Sequence, residues 1–394
     1  MSSHQLAILG GSPAFPDGLR LLRPTLPPLE AVLPGLREAF ATGMLTKGPA
    51  LAEYERRLAD HLGVKHALGV SSCTAGLTLL FSRLAPGEAI MPSFTFMATA
   101  MAAARAGLQP VFADVDAQTW CLNPQRAAEA VTENTRVVIP VHVFGNPADT
   151  DAFAEMGRRH GLPVVYDAAH GFGALRDGSP LGRQGSAQVF STSPTKLLIT
   201  GEGGVVATDD DALAEQVTIG REYGNPGDYD ALFVGANARL PEAGALLGTA
   251  GLDLLEAEAV RRNHLASLYR AELDGVPDLT WQRVRPQDRS SYKDVTMRVG
   301  ASFGLTRDQL TEVLHREGVQ TRAYYVPVVH RLRAFAHLRE RSEPLLPETI
   351  ALAGEVLTLP AYGSLAEDEV RAVARRIKAA HEGAAAVRHA LGAV

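Results

Sequence analysis

Residues 136–170 read RVVIPVHVFGNPADTDAFAEMGRRHGLPVVYDAAH. Two apolar runs, RVVIPVHVFG (136–145) and PVVYDAAH (163–170), stand on either side of a helical segment at 149–160. Strands that are apolar at successive positions have both faces covered, and strands separated by helices of this length belong to a mostly parallel sheet. The same alternation extends in both directions. HALGVSS (66–72), EAIMPSF (88–94) and PVFADV (110–115) read as earlier strands, with helices at 74–84 and 98–107 between them. AQVFSTS (187–193) and GGVVATDD (203–210) read as later strands. The expected class is α/β, a mostly parallel sheet sandwiched by helices.

Two amphipathic helices within 28–63, separated by the turn around Lys47-Gly48-Pro49, precede the sheet. From residue 242 the pattern changes to a long helical stretch (242–275), a strand signal in KDVTMRV (293–299) and helices at 306–317 and 365–381. This predicts a large domain over residues 1–245, whose N-terminal segment is free to pack elsewhere, and a smaller C-terminal α+β domain over 246–394.

Charge and cysteine usage exclude several classes. The formal net charge of −6 over 394 residues argues against a nucleic-acid partner, which calls for a basic face, but allows a locally positive pocket for a small anion. Cys73 and Cys121 show no CxxC spacing, so neither a disulfide framework nor a zinc ribbon is expected, and no metal site. No cationic leader opens MSSHQLAILGGSPAF, and no apolar run reaches the roughly 18 residues that span a bilayer. A cytoplasmic protein without a membrane partner is the expectation.

Four signals of chemistry fall at strand ends, where open α/β sheets bind ligands. SSCTAG (71–76) passes from a strand into a helix, and the free N–H groups there suit a phosphate, although a plain N-cap by Ser72 accounts for it equally. Asp167 follows three apolar residues and should emerge from a buried strand, where a protonated ring nitrogen or merely loop amides would satisfy it. Phe96 in MPSFTFMAT suits stacking on a flat ring or simple core packing. Lys196 stands in FSTSPTKLLITGEGG (190–204), five residues after Ser191. The chain has five lysines, Lys47, Lys65, Lys196, Lys293 and Lys378, among 38 basic residues, so a lysine is a departure from its habitual arginine. Lysine, unlike arginine, can shed its proton and act as nucleophile or base. Taken together, a phosphate turn, a flat ring, a carboxylate and an amine describe pyridoxal 5′-phosphate (PLP).

The sequence resembles the DegT/DnrJ/EryC1/StrS family of PLP-dependent sugar aminotransferases. The segments that carry the resemblance include VSSCTAGL (70–77), MPSFTFMAT (91–99), DAAHGFGA (167–174), FSTSPTKLLITGEGG (190–204), GANARLPEAGALLG (235–248) and TRAYYVPVVH (321–330). It implies PLP fold type I, of the aspartate aminotransferase kind. It also implies that Lys196 is the Schiff-base lysine, Asp167 the carboxylate facing the pyridine nitrogen, Phe96 the stacking aromatic and His170 a neighbour of the phenolic oxygen. Cys73, Thr74 and Ser191 would hold the phosphate, and Asn237 would reach it from the partner of a homodimer. Arg239, Tyr325 and His330 fall in segments that border the sugar site.

The departures from the family pattern are Cys73 where glycine is common, Ser-Thr-Ser-Pro-Thr-Lys for Ser-Phe-His-Pro-Thr-Lys, and Ala236 for a frequent tyrosine. They alter walls of the substrate site and leave the cofactor chemistry in place. The implied reaction moves an amino group from L-glutamate or L-glutamine to a ketone of a nucleotide-linked keto-deoxysugar. It would run through an aldimine on Lys196 and two ping-pong half-reactions, with pyridoxamine 5′-phosphate between them. Sugar dehydration is the alternative within the family, but dehydratases carry histidine at the lysine position. A cyclitol ketone as acceptor and a non-catalytic PLP-binding regulator are further alternatives. A nicotinamide enzyme is disfavoured because GEGG (201–204) precedes a strand instead of following one.

Overall fold

The computed structural model describes residues 5–392. Seven strands make up its larger sheet: β1 (His66–Val70), β2 (Gly87–Pro92), β3 (Leu108–Ala113), β4 (Thr135–Val138), β5 (Val165–Asp167), β6 (Ala187–Ser191) and β7 (Gly204–Thr208). Their spatial order is β3-β2-β4-β5-β6-β7-β1, with β4 and β5 joined by parallel bridges at Val138–Val164 and Val141–Asp167. Only β7 runs against its neighbours, β6 and β1. The fold is the mixed α/β, largely parallel sheet between helices that the apolar runs imply.

Local chemistry sets the element ends. The run expected as one strand over 136–145 is a regular strand only to Val138: Pro140 has no N–H to donate, an isolated bridge at Val141 follows, and Val143–Gly145 coils into a single 3₁₀ turn. Side-chain caps start the helices that follow β1, β4 and β7. Ser72, Asp149 and Asp210 accept from the amides of Ala75, Ala152 and Ala212.

The helix Glu242–Glu272 carries the chain away from this sheet. Its N-terminal part packs Ala245, Leu255 and Ala259 with Phe190 and Val205 of the large sheet, whereas Leu265, Ala266 and Tyr269 belong to a second core. That second core lies on an antiparallel sheet of β8 (Leu279–Trp281), β9 (Val295–Val299) and β10 (Val356–Leu359), and it takes in Leu6 and Leu19 from the start of the chain. Residues Tyr325, Val328 and Leu352 pack instead against Ile90 and Val138 of the large sheet. Among the described residues no helix is long and apolar enough to cross a membrane, and no cluster of His, Cys, Asp and Glu is arranged to hold a metal.

Candidate active site

The carboxyl ends of β5 and β6, the start of the helix Cys73–Phe81 and the segment before β9 converge on one cavity of about 380 Å³. Asp167, the last residue of β5, is buried at its base. Its Oδ2 accepts the Thr99 hydroxyl at 2.6 Å and its Oδ1 the Ala169 amide at 3.0 Å, while the Cys73 thiol stands 3.9 Å from Oδ1. Burial pushes this carboxyl above its usual range, and the Thr99 and Ala169 hydrogen bonds, with Lys196 nearby, offset part of the rise.

Lys196 lies in the loop between β6 and β7. That loop is closed on itself by Thr192 N–H to the Gly203 carbonyl (3.0 Å), Thr200 N–H to the Thr192 carbonyl (2.8 Å) and a 2.6 Å contact between the two threonine hydroxyls. The glycine pair that ends the loop has a steric cause. A Cβ on Gly204 would come within 2.5 Å of the Cys73 amide nitrogen, so β7 reaches the phosphate-type turn only as glycine. Burial lowers the Lys196 ammonium to about 8, and the nearby Lys293 cation adds to the effect.

Other expected residues line the same cavity. Phe96 is 54% exposed and therefore not a core residue. Cys73, Thr74 and Ser191 stand around the helix start, with Ser72 acting as its cap at 3.1 Å from the Ala75 amide. The buried Nδ1 of His170 meets no hydrogen-bond partner. Burial, then Lys196 and Lys293, hold this imidazole well below its ordinary pKa, so it is neutral. Tyr325 is part of the opposite wall.

Three expected residues do not line this cavity. Asn237 is exposed, and Arg239 lies with Tyr223 and Lys47 on another surface, paired to Glu222 at 3.0 Å. His330, expected at the border of the sugar site, is instead enclosed in the protein. Its Nδ1 meets Ser93 Oγ at 2.7 Å and its Nε2 meets Glu343 at 3.0 Å, so one ring nitrogen ties the 329–346 segment to the end of β2 and the other ties that segment to itself.

The cavity also has members that sequence reasoning passed over. Thr99 orients Asp167, Lys293 and Asp294 come from the segment that enters the second sheet, and Tyr324 lines the cavity beside them. For Lys293 the one signal available was the scarcity of lysine. The arrangement supplies a poised amine, a buried carboxylate, an open aromatic face and an unpartnered imidazole nitrogen around a single space. Each of these suits a phosphorylated, positively charged heteroaromatic ring.

The chain matches the family model described as the DegT/DnrJ/EryC1/StrS aminotransferase family over residues 30–378. It is 29% identical over 358 residues to the dTDP-4-amino-4,6-dideoxy-D-glucose transaminase of Shigella dysenteriae, covering 90% of this chain and 97% of that protein. The crystal structure of DesI in the presence of its TDP-sugar product superposes with a TM-score of 0.91 at 35% identity, covering 99% of each chain. That of DesV from S. venezuelae in complex with a ketimine intermediate does so with a TM-score of 0.83 at 31% identity, covering 92% of this chain and 99% of that one.

Proposed function

Since the chain belongs to the DegT/DnrJ/EryC1/StrS aminotransferase family and is a PLP-dependent transaminase, we propose that it carries an amino group from L-glutamate or L-glutamine to a ketone of a nucleotide-linked keto-deoxysugar. The observation that carries this reading is Lys196. Its amine, lowered to about 8, opens into the same cavity as the buried Asp167 carboxylate. Dideoxysugar transamination in the Shigella relative and the TDP-sugar product of DesI support the acceptor class.

When bound, PLP supplies an electrophilic carbonyl carbon and a ring that accepts an electron pair. Cys73, Thr74 and Ser191, at the amide-rich start of their helix, would take the phosphate. Phe96 would cover one ring face with an aromatic surface that otherwise meets water. Asp167 would pair with the ring nitrogen, which would offset the cost of its burial and favour the protonated ring. His170, neutral and with Nδ1 unspent, would hydrogen-bond the cofactor without adding charge.

Lys196 does the proton work. Because its amine is partly uncharged near neutral pH, Nζ can attack as a nucleophile, and once released it takes the proton from the donor's α-carbon. In the second half of the cycle the same Nζ would take a proton back from the cofactor's side and deliver it to the former ketone carbon, which becomes the amino-sugar centre. Tyr324 and Tyr325 line the same cavity. Asn237 faces outward on its own chain, which supports the reading that it serves the cavity of a second copy in a homodimer.

The test is stepwise. The PLP-loaded protein is mixed with L-glutamate or L-glutamine and the oxoacid is measured. The aminated protein is then offered dTDP-, UDP- and GDP-linked keto-deoxysugars. Oxoacid release followed by an aminated sugar nucleotide is the expected result. Oxoacid release with transfer only to a non-nucleotide ketone would overturn the acceptor class.

A further inference from the structure

An amino-acid donor brings a carboxylate into the cavity, and some cation must receive it. Among the described residues that line the cavity the basic side chains are Lys196, Lys293 and His170. His170 is neutral, as described above. Lys196 must give up its charge to react, so a carboxylate seated on it would hold it in the unreactive form. Lys293 has no such duty.

The position of Lys293 is built. The residue is 5% exposed. Its amide donates to the Phe144 carbonyl at 3.1 Å, and its carbonyl accepts from Arg262 at 3.0 Å, a guanidinium itself buried against Glu258. Its ammonium donates to Asp294 Oδ1 at 2.8 Å and lies 5.5 Å from the centre of the Tyr324 ring. An ammonium has three N–H donors. Among the described residues Asp294 is the one acceptor it meets, which leaves two donors for something else in the cavity. Asp294 thus fixes the cation without exhausting it.

We propose that Lys293, held by Asp294, binds the carboxylate of the amino donor and so confers amino-acid recognition on the first half-reaction. This assignment rests on the transaminase cycle proposed above. It places donor recognition on the segment that enters β9, in the same cavity as Lys196, and leaves Asp167 to the cofactor.

The experiment separates the two halves of the cycle. Wild type, Lys293→Gln, Lys293→Arg and the double variant Lys293→Gln/Asp294→Asn are loaded with PLP, and the rate of oxoacid formation is measured against L-glutamate concentration. The same proteins are loaded with pyridoxamine 5′-phosphate, which bypasses the donor, and mixed with the acceptor sugar that wild type uses. The double variant removes both charges together, so no lone buried carboxylate is left to disturb folding. Loss of one charge-assisted contact predicts a rise of roughly 10–100-fold in the L-glutamate concentration needed for half-maximal rate. That loss should exceed any loss in the acceptor half by at least about tenfold, with partial recovery in Lys293→Arg. Equal losses in both halves, or an unchanged L-glutamate dependence in Lys293→Gln and the double variant, would overturn the assignment. If wild type itself forms no oxoacid from either donor, the transaminase cycle proposed above fails first, and the assignment with it.

Discussion

The hydroxyl of Thr99 donates to Oδ2 of Asp167 across 2.6 Å, and Thr95 Oγ1 stands 3.0 Å behind it. With its one proton given to the carboxylate, Thr99 accepts from Thr95, so a short chain of buried hydroxyls fixes the orientation of Asp167. The carboxylate cannot rotate away from the cavity without breaking this chain. Thr99→Val keeps the shape and loses the donor. A hydrogen bond to a charged group contributes about 1.5–3 kcal/mol, so PLP affinity should fall by roughly 10–100-fold. Thr99→Ser should retain most of it. Titration of the apoprotein with PLP measures both.

Asp167 gives a prediction with opposite signs for stability and activity. Its carboxyl is raised in the folded protein above the ordinary 3.8, mainly by burial. The folded state therefore holds a proton that the unfolded chain has already released. The resulting loss of stability begins above the unfolded value, grows as pH rises through the folded value and is complete beyond it. Asp167→Asn should thus raise the apoprotein's Tm at neutral pH while shrinking the Tm gain on adding PLP. Transamination should fall by at least about 100-fold, the scale on which a preorganised electrostatic group acts. Differential scanning calorimetry with and without PLP reads both effects.

Phe96 separates cofactor binding from folding. An exposed ring contributes little to the core, so Phe96→Ala should shift stability by less than about 0.5 kcal/mol. Stacking is worth about 0.5–1.5 kcal/mol, and PLP should bind roughly 2–12-fold more weakly. Equilibrium unfolding and cofactor titration on one preparation compare the two numbers.

Lys196 sets the pH dependence of cofactor capture. An amine lowered to about 8 is roughly one-tenth uncharged at pH 7, against less than one-thousandth for an ordinary lysine. The rate at which the apoprotein captures PLP covalently should climb with pH and level off above about 8. Stopped-flow absorbance from pH 6 to 10 follows it. Lys293→Gln removes a neighbouring cation and should move the midpoint upward.

Much of this was legible in the chain because the chemistry stands where periodicity stops. PVVYDAAH shows three apolar residues and then a carboxylate, and Asp167 is the last residue of β5. SSCTAG shows a strand ending in a capped helix, and Ser72 makes that cap. The direction of β7 was not legible, since a strand covered on both faces has the same apolar pattern whichever way it runs. Lys293 was not legible either, because its place at the cavity depends on how the second sheet docks on the first. His330 illustrates the converse. Its segment resembles a border of the sugar site, yet Ser93 and Glu343 take both of its ring nitrogens. Changing His330→Ala should therefore cost about 1–3 kcal/mol of stability and leave the sugar's KM largely unmoved.

The most direct measurement is reduction of the PLP-loaded protein with borohydride, followed by mass spectrometry of its peptides, for wild type beside Lys196→Ala. The phosphopyridoxyl mass should appear on the peptide containing Lys196 in wild type, disappear in the variant, and be lost from wild type treated with L-glutamate before reduction. A mass on Lys293 or another lysine, or none on wild type, would contradict the assignment of Lys196 as the residue that holds the cofactor and moves the proton.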